Sequence, residues 1–168
     1  MQALELLLDD GTDETVRGEW DALSRAGLPS QADHTGATNA PHVTMLATDE
    51  IAASDEELGA ALAGMLPLPL RLGPVVAFPG RRLVLARLVV ADAALLALHA
   101  EVVRASGAVP SPLTTPGRWV PHVTLARGIP VGDLGAALSL LRPPDLDGSA
   151  TGLRRWDSVE KQTHAVVR

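Results

Sequence analysis

Pro41-His42-Val43-Thr44-Met45 returns as Pro121-His122-Val123-Thr124-Leu125, so one His-Val-Thr tripeptide occurs twice, 80 residues apart, in a chain of 168. The offset reaches beyond the motif. Leu4-Glu5-Leu6-Leu7-Leu8 aligns with Val84-Leu85-Ala86-Arg87-Leu88, both read as short apolar strands, and a helix-like segment ends at Gly27 in one half and Gly107 in the other. Glycine just past the last helical turn is a stop signal. A polar loop rich in Pro, Ser, Thr, Gly and Asn then leads to each histidine. The chain reads as a single bilobal domain over 1–168, built from a unit repeated at approximately 1–80 and 81–168, too few copies for a solenoid.

Periodicity and punctuation give an alternating plan. Strands are expected at 3–9, 42–47, 69–78, 82–90, 121–126, 151–156 and 163–167, and helices at 13–26, 55–66, 92–106 and 133–141, with Pro143-Pro144 ending the last helix. The third helix is the clearest, with Leu95, Leu98, His99 and Val102 on one face and Asp92 near its start; His99 is expected to be half-buried there. This pattern predicts an α+β fold of two antiparallel sheets around a central cleft, with helices on the outer faces. Aromatics are only 2% of the chain against 46% hydrophobic residues, so Leu, Val and Ala must fill the core.

On a strand, each His and the Thr two residues later share a face while the Val between them points the other way. Two repeats packed about a twofold axis would bring two imidazoles and two hydroxyls together. That pairing suits reaction at a phosphate, because one imidazole can take a proton while the other gives one near neutral pH. A metal site would require further carboxylates or histidines at fixed spacing, and His34, His99 and His164 do not supply them. No metal and no cofactor is expected.

A net charge of −6 argues against coating long nucleic acid, since nonspecific binding depends on phosphate neutralisation by basic surface. A small nucleotide or an RNA end is the expected partner. Arg71, Arg81, Arg82, Arg87, Arg118, Arg127, Arg154 and Arg155 fall in strand-like or loop regions and could form a local patch. The absence of cysteine excludes disulfides and a thiol nucleophile. The apolar run at 83–98 is broken by Arg87 and Asp92, and the amino terminus lacks a basic-then-apolar signal pattern; a cytoplasmic monomer without a membrane segment is expected.

Paired His-x-Thr motifs, one per half and about 80 residues apart, resemble those of the two-histidine (2H) phosphoesterase superfamily, which includes bacterial 2′-5′ RNA ligase-like proteins and 2′,3′-cyclic phosphodiesterases. The resemblance covers essentially the whole chain. It implies a bilobal fold with proton transfer by His42 and His122 and phosphate contact by Thr44 and Thr124. The activity it implies is a metal-independent phosphoesterase acting on an RNA 2′,3′-cyclic phosphate, a 2′-5′ phosphodiester or a small cyclic nucleotide derivative. The alternatives are 2′-5′ RNA ligation at the same site and a noncatalytic RNA-end or nucleotide-binding module.

Two loops, 28–40 and 108–120, precede the motif strands and should flank the same cleft. Arg118, Trp119 and His34 are therefore candidate substrate contacts, Trp119 by stacking on a base and Arg118 on phosphate or sugar. The competing reading of Trp119 is a cap on the hydrophobic core. Simple alternation aims Arg127 away from Thr124.

Overall fold

A computed structural model describes residues 1–142 and 145–168, so the expected helix stop at Pro143-Pro144 lies outside the described residues. In chain order the elements are β1 (Gln2–Leu8), α1 (Asp10–Arg25), β2 (His42–Thr48), α2 (Asp55–Ala61), β3 (Leu68–Phe78), β4 (Leu83–Val89), α3 (Ala93–Ser106), β5 (His122–Ile129), α4 (Leu134–Ser139), β6 (Leu146–Asp157) and β7 (Gln162–Val167). Short 3₁₀ turns at Gln31–Asp33 and Val131–Asp133 complete the set.

Local chemistry accounts for the helix starts. The Asp9 carboxylate accepts from the Thr12 N–H at 3.0 Å, which starts α1 earlier than its apolar period alone implies. Ser54 and Glu57 form a reciprocal capping box on α2, and Asp92 caps α3 by accepting from the Leu95 N–H at 2.8 Å. Gly107, at φ 63°, closes α3 in the left-handed conformation expected of a C-terminal glycine. The second helix stops at Ala61, short of the expected 66, and β6 begins at Leu146, five residues earlier than expected.

The two expected sheets are one. Seven antiparallel strands run in the order β1-β2-β5-β4-β3-β6-β7, and a further β1–β6 pairing closes six of them into a ring. Joins between the halves make the difference: β3 meets β6 from Leu68↔Ala150 to Leu72↔Leu146, and β2 meets β5 at Val43↔Val123. Such pairings join residues far apart in sequence and leave no mark on local patterning.

Exchanging β1 with β4, β2 with β5 and β3 with β6 maps the ring's pairings onto themselves. The helices follow the same exchange, α1 lying on β5 and β6 and α3 on β2 and β3. Leu, Val and Ala dominate the buried core, Leu4, Leu6, Val43, Leu46, Leu85, Leu98 and Val123 among them, and Trp20 is its one fully enclosed aromatic among the described residues. Close passage of β6 beneath α1 requires Gly148, because a Cβ there would stand 2.0 Å from the Thr12 hydroxyl oxygen. No described helix is long and apolar enough to cross a membrane.

Candidate active site

The Val43↔Val123 pair is the seam where the two motif strands meet, and both valines are fully buried. Antiparallel register then sets position 42 beside 124 and 44 beside 122. Directly opposed side chains stand roughly 4.5–5.5 Å apart at Cβ. The four motif side chains, His42, Thr44, His122 and Thr124, thus share the face opposite the buried valines. The imidazoles are close enough that a positive charge on His42 is felt at His122.

Both rings are held alike from behind. His42 Nδ1 lies 2.7 Å from the Ala40 carbonyl, and His122 Nδ1 lies 2.8 Å from the Val120 carbonyl. A carbonyl accepts only, so each Nδ1 carries a proton and donates it. In a neutral ring that leaves Nε2 as the basic atom. Ala40 and Val120 stand at the same 80-residue offset as the histidines.

Strand register also breaks at matched places. Leu4↔Leu46 is followed by Glu5↔Thr44, leaving Met45 as an extra residue, and Leu85↔Ala126 is followed by Ala86↔Thr124, leaving Leu125. These are β-bulges, which re-aim the side chains that follow them. An indole N–H meets the threonine carbonyl at each: Trp119 Nε1 donates to Thr44 at 2.9 Å and Trp20 Nε1 to Thr124 at 3.1 Å. The Trp119 ring also stacks on His99, with centroids 4.0 Å apart and planes 7° from parallel. Trp119 thus packs, partly buried, against the core.

Because Leu125 is the extra residue, Arg127, paired with Val84, returns to the face of Thr124. Alternation read from sequence had it pointing away. Its charge contributes to the electrostatics of His122, whose proton affinity is lowered first by burial, against the opposing bond to the Val120 carbonyl, and then by the positive charges of Arg127 and His42. The Phe78 ring covers His122 at 4.9 Å between centroids.

His42 has different neighbours. Glu5 Oε1 stands 3.4 Å from its Nε2, and Glu5 Oε2 accepts from Arg154 Nε at 2.9 Å. Neither Glu5 nor Phe78 was singled out as a site residue in the sequence. Glu5 was legible only as the charged member of an apolar strand.

The remaining expected positions scatter. Arg118 and His34 are exposed on the loops before β5 and β2. Arg87 leaves the expected surface patch altogether: it is 2% exposed, donates Nε to Glu19 at 2.7 Å, and bonds the carbonyls of Gly73 and Arg142. His99 is fully buried rather than half-buried, with Nε2 3.1 Å from the Thr114 carbonyl, and burial lowers its proton affinity. Two surface depressions, about 650 Å³ beside Glu50 and Pro110 and about 300 Å³ beside Gln2 and Arg155, lie away from the two histidines. Among the described residues no three His, Asp or Glu side chains gather as a metal site.

A profile of the 2′-5′ RNA ligase superfamily matches residues 12–162. The chain belongs to that superfamily, the 2H phosphoesterases. Its members are typically enzymes. Solved structures share the fold of this 2H protein at low identity. Escherichia coli LigT complexed with NADP+ is 20% identical with a TM-score of 0.55, over 98% of this chain and 91% of that one. The same enzyme complexed with 3′-AMP is 18% identical with a TM-score of 0.55, over 98% and 92%. Kluyveromyces marxianus Usb1 is 15% identical with a TM-score of 0.53, over 99% and 97%. No curated protein sequence matches significantly.

Proposed function

We propose that this 2H protein is a metal-independent phosphoesterase, acting as a monomer on an RNA 2′,3′-cyclic phosphate, a 2′-5′ phosphodiester or a small cyclic nucleotide derivative. One observation carries the reading. Both Nδ1–H groups are committed to backbone carbonyls at matched positions, which leaves Nε2 as the basic atom of two histidines whose strands meet at Val43↔Val123, each with a threonine two residues on. That is the equipment for in-line displacement at phosphorus, with one ring activating a nucleophile and the other protonating the departing ribose oxygen. Thr44, Thr124 and Arg127 are suited to hold the nonbridging oxygens as charge builds. Two of the structures that share its fold carry NADP+ and 3′-AMP, which favours a nucleotide ligand.

The deciding experiment is single-turnover ring opening with a panel of 2′,3′-cyclic nucleotides and cyclic-phosphate RNA ends, with and without EDTA. Turnover that survives chelation and follows a bell-shaped pH profile is the expected result. Binding without turnover across the panel would leave a nucleotide-binding module, and loss in EDTA restored by a divalent ion would end the metal-independent mechanism.

A further inference from the structure

Held alike at Nδ1, the two histidines differ at Nε2, the atom that does the chemistry. Around His42, β1 and β6 contribute a carboxylate and a guanidinium: Glu5 pairs in register with Thr44 on one side and Arg154 on the other, and its two oxygens are divided between His42 Nε2 and Arg154 Nε. Glu5 is 9% and Arg154 11% exposed at the side chain, so water screens this pair little. Around His122, the position across from Thr124 is Ala86, which is paired in turn with Val76, and the Phe78 ring covers the imidazole.

A carboxylate is an acceptor, as is a carbonyl. His42 Nδ1 donates to the Ala40 carbonyl, and a Glu5 oxygen stands 3.4 Å from Nε2, a contact between charges rather than a hydrogen bond. An opposite charge within about 4–6 Å favours the charged form of a titratable group.

We propose that Glu5, anchored by Arg154, is a positioning residue that keeps His42 as the proton-bearing imidazolium, which makes His42 the acid and His122 the base. This rests on the phosphoesterase reading for its reaction, though not for its electrostatics. The charged groups recorded around His42 are Glu5 from β1, Arg154 from β6 through Glu5, and His122 from β5, with Arg127 of β5 acting on His122. Pairing Glu5 with Arg154 matters for substrate as well as for His42. Glu5, Arg154 and a protonated His42 together carry one net positive charge, so the carboxylate serves the imidazole without turning the cleft against phosphate.

In the hydrolytic reaction, a water oxygen bonds to phosphorus and gives its proton to His122 Nε2. The bond from phosphorus to one ribose oxygen breaks, and that oxygen takes the proton from His42 Nε2. One water is consumed and the cyclic diester becomes a monoester. His42 is then neutral beside a carboxylate, an arrangement relieved by taking a proton back from solvent while His122 releases one.

The test begins on the unsubstituted, unliganded protein, by ring ¹⁵N resonances at a pH of about 6.5, where a free imidazole is half protonated. His42 should show both nitrogens protonated for most molecules, and His122 should show the neutral form with the proton on Nδ1. Glu5→Gln keeps an acceptor for Arg154 and removes the charge. It should move His42 Nε2 toward the unprotonated position, let His122 take up slightly more proton as the positive charge beside it fades, and shift the alkaline limb of the kcat profile to lower pH. Glu5→Asp should restore part of that shift. Arg154→Met separates this role from a mere brace between β1 and β6: a brace predicts the same loss of stability and unmoved His42 signals in both variants, whereas positioning predicts that only loss of the Glu5 charge lowers His42 protonation.

His42 resonances identical in Glu5→Gln and parent, or a larger protonated share on His122 than on His42 in the parent, would overturn the inference. If no substrate on the panel reacts while the His42 signals behave as expected, the phosphoesterase reading fails and the charge assignment to Glu5 stands.

Discussion

At equivalent places in the two halves, β1 carries Glu5-Leu6 and β4 carries Ala86-Arg87, as the pairing of Leu6 with Val43 and of Arg87 with Val123 establishes. In the first half the charge enters the cleft and the apolar side chain enters the core. In the second half the faces are exchanged, with a fully buried alanine on the motif side and an arginine buried against Glu19. The backbone frame is thus symmetric to the level of matched bulges, while the side chains beside the two histidines are not. A reaction that needs one proton donor and one acceptor requires that inequality, and the frame alone does not supply it.

The sharpest way to break the comparison is to remove each imidazole in turn. His122→Ala and His42→Ala are each expected to lower single-turnover rates by on the order of 10² to 10⁴, the usual contribution of a positioned base or acid, and together by less than the product. Folded single variants that both match the parent would make the two histidines structural.

Next in size is the charge buried in the second half. Glu19→Ala leaves Arg87 unpaired in the core and should cost about 3–5 kcal/mol in denaturant unfolding. Leu6→Met, at the place equivalent to Arg87, should cost less than about 1.5 kcal/mol. Similar losses for the two would mean that the halves are braced alike.

The smallest effect concerns His122 alone. Its folded-state proton affinity is lowered, so the unfolded chain takes the proton first as acid is added. The stability it contributes is complete above the ordinary histidine value of about 6.5 and is lost as pH falls below it. His99, lowered by burial, acts in the same direction. Phe78→Leu uncovers part of the His122 ring and should move the acidic limb of the rate profile to higher pH while flattening the acid loss of stability. An unchanged limb would show that Phe78 plays no part in keeping His122 neutral.

Much of this was legible along the chain. The His-x-Thr repeat marked the two strands that meet at Val43↔Val123, and the apolar periods of Leu95, Leu98 and Val102 located α3. Boundaries drifted where a side chain rather than periodicity decides them, as at Asp9, whose cap starts α1 at Asp10. Three features were out of reach for one reason, their dependence on residues distant in sequence. Glu5 owes its place to pairing with Thr44 and Arg154, Arg87 its burial to Glu19, and the single sheet its closure to β3 with β6. Arg127 differs. A local bulge turned it toward Thr124, and nothing in Thr-Leu-Ala-Arg announces a bulge.

Between β2 and β5 the ring is closed by one residue pair, whereas β3 and β6 are joined through five. The two motif histidines therefore ride on opposite sides of the narrowest join among the described strands, above two fully buried valines. Under the proposed reaction the two buried valines are spacers: a methyl group added or removed there should change the gap between the imidazoles above. In the proposed reaction core packing would tune turnover, and second-site changes that alter rate without touching either histidine should be sought first on the buried side of that join.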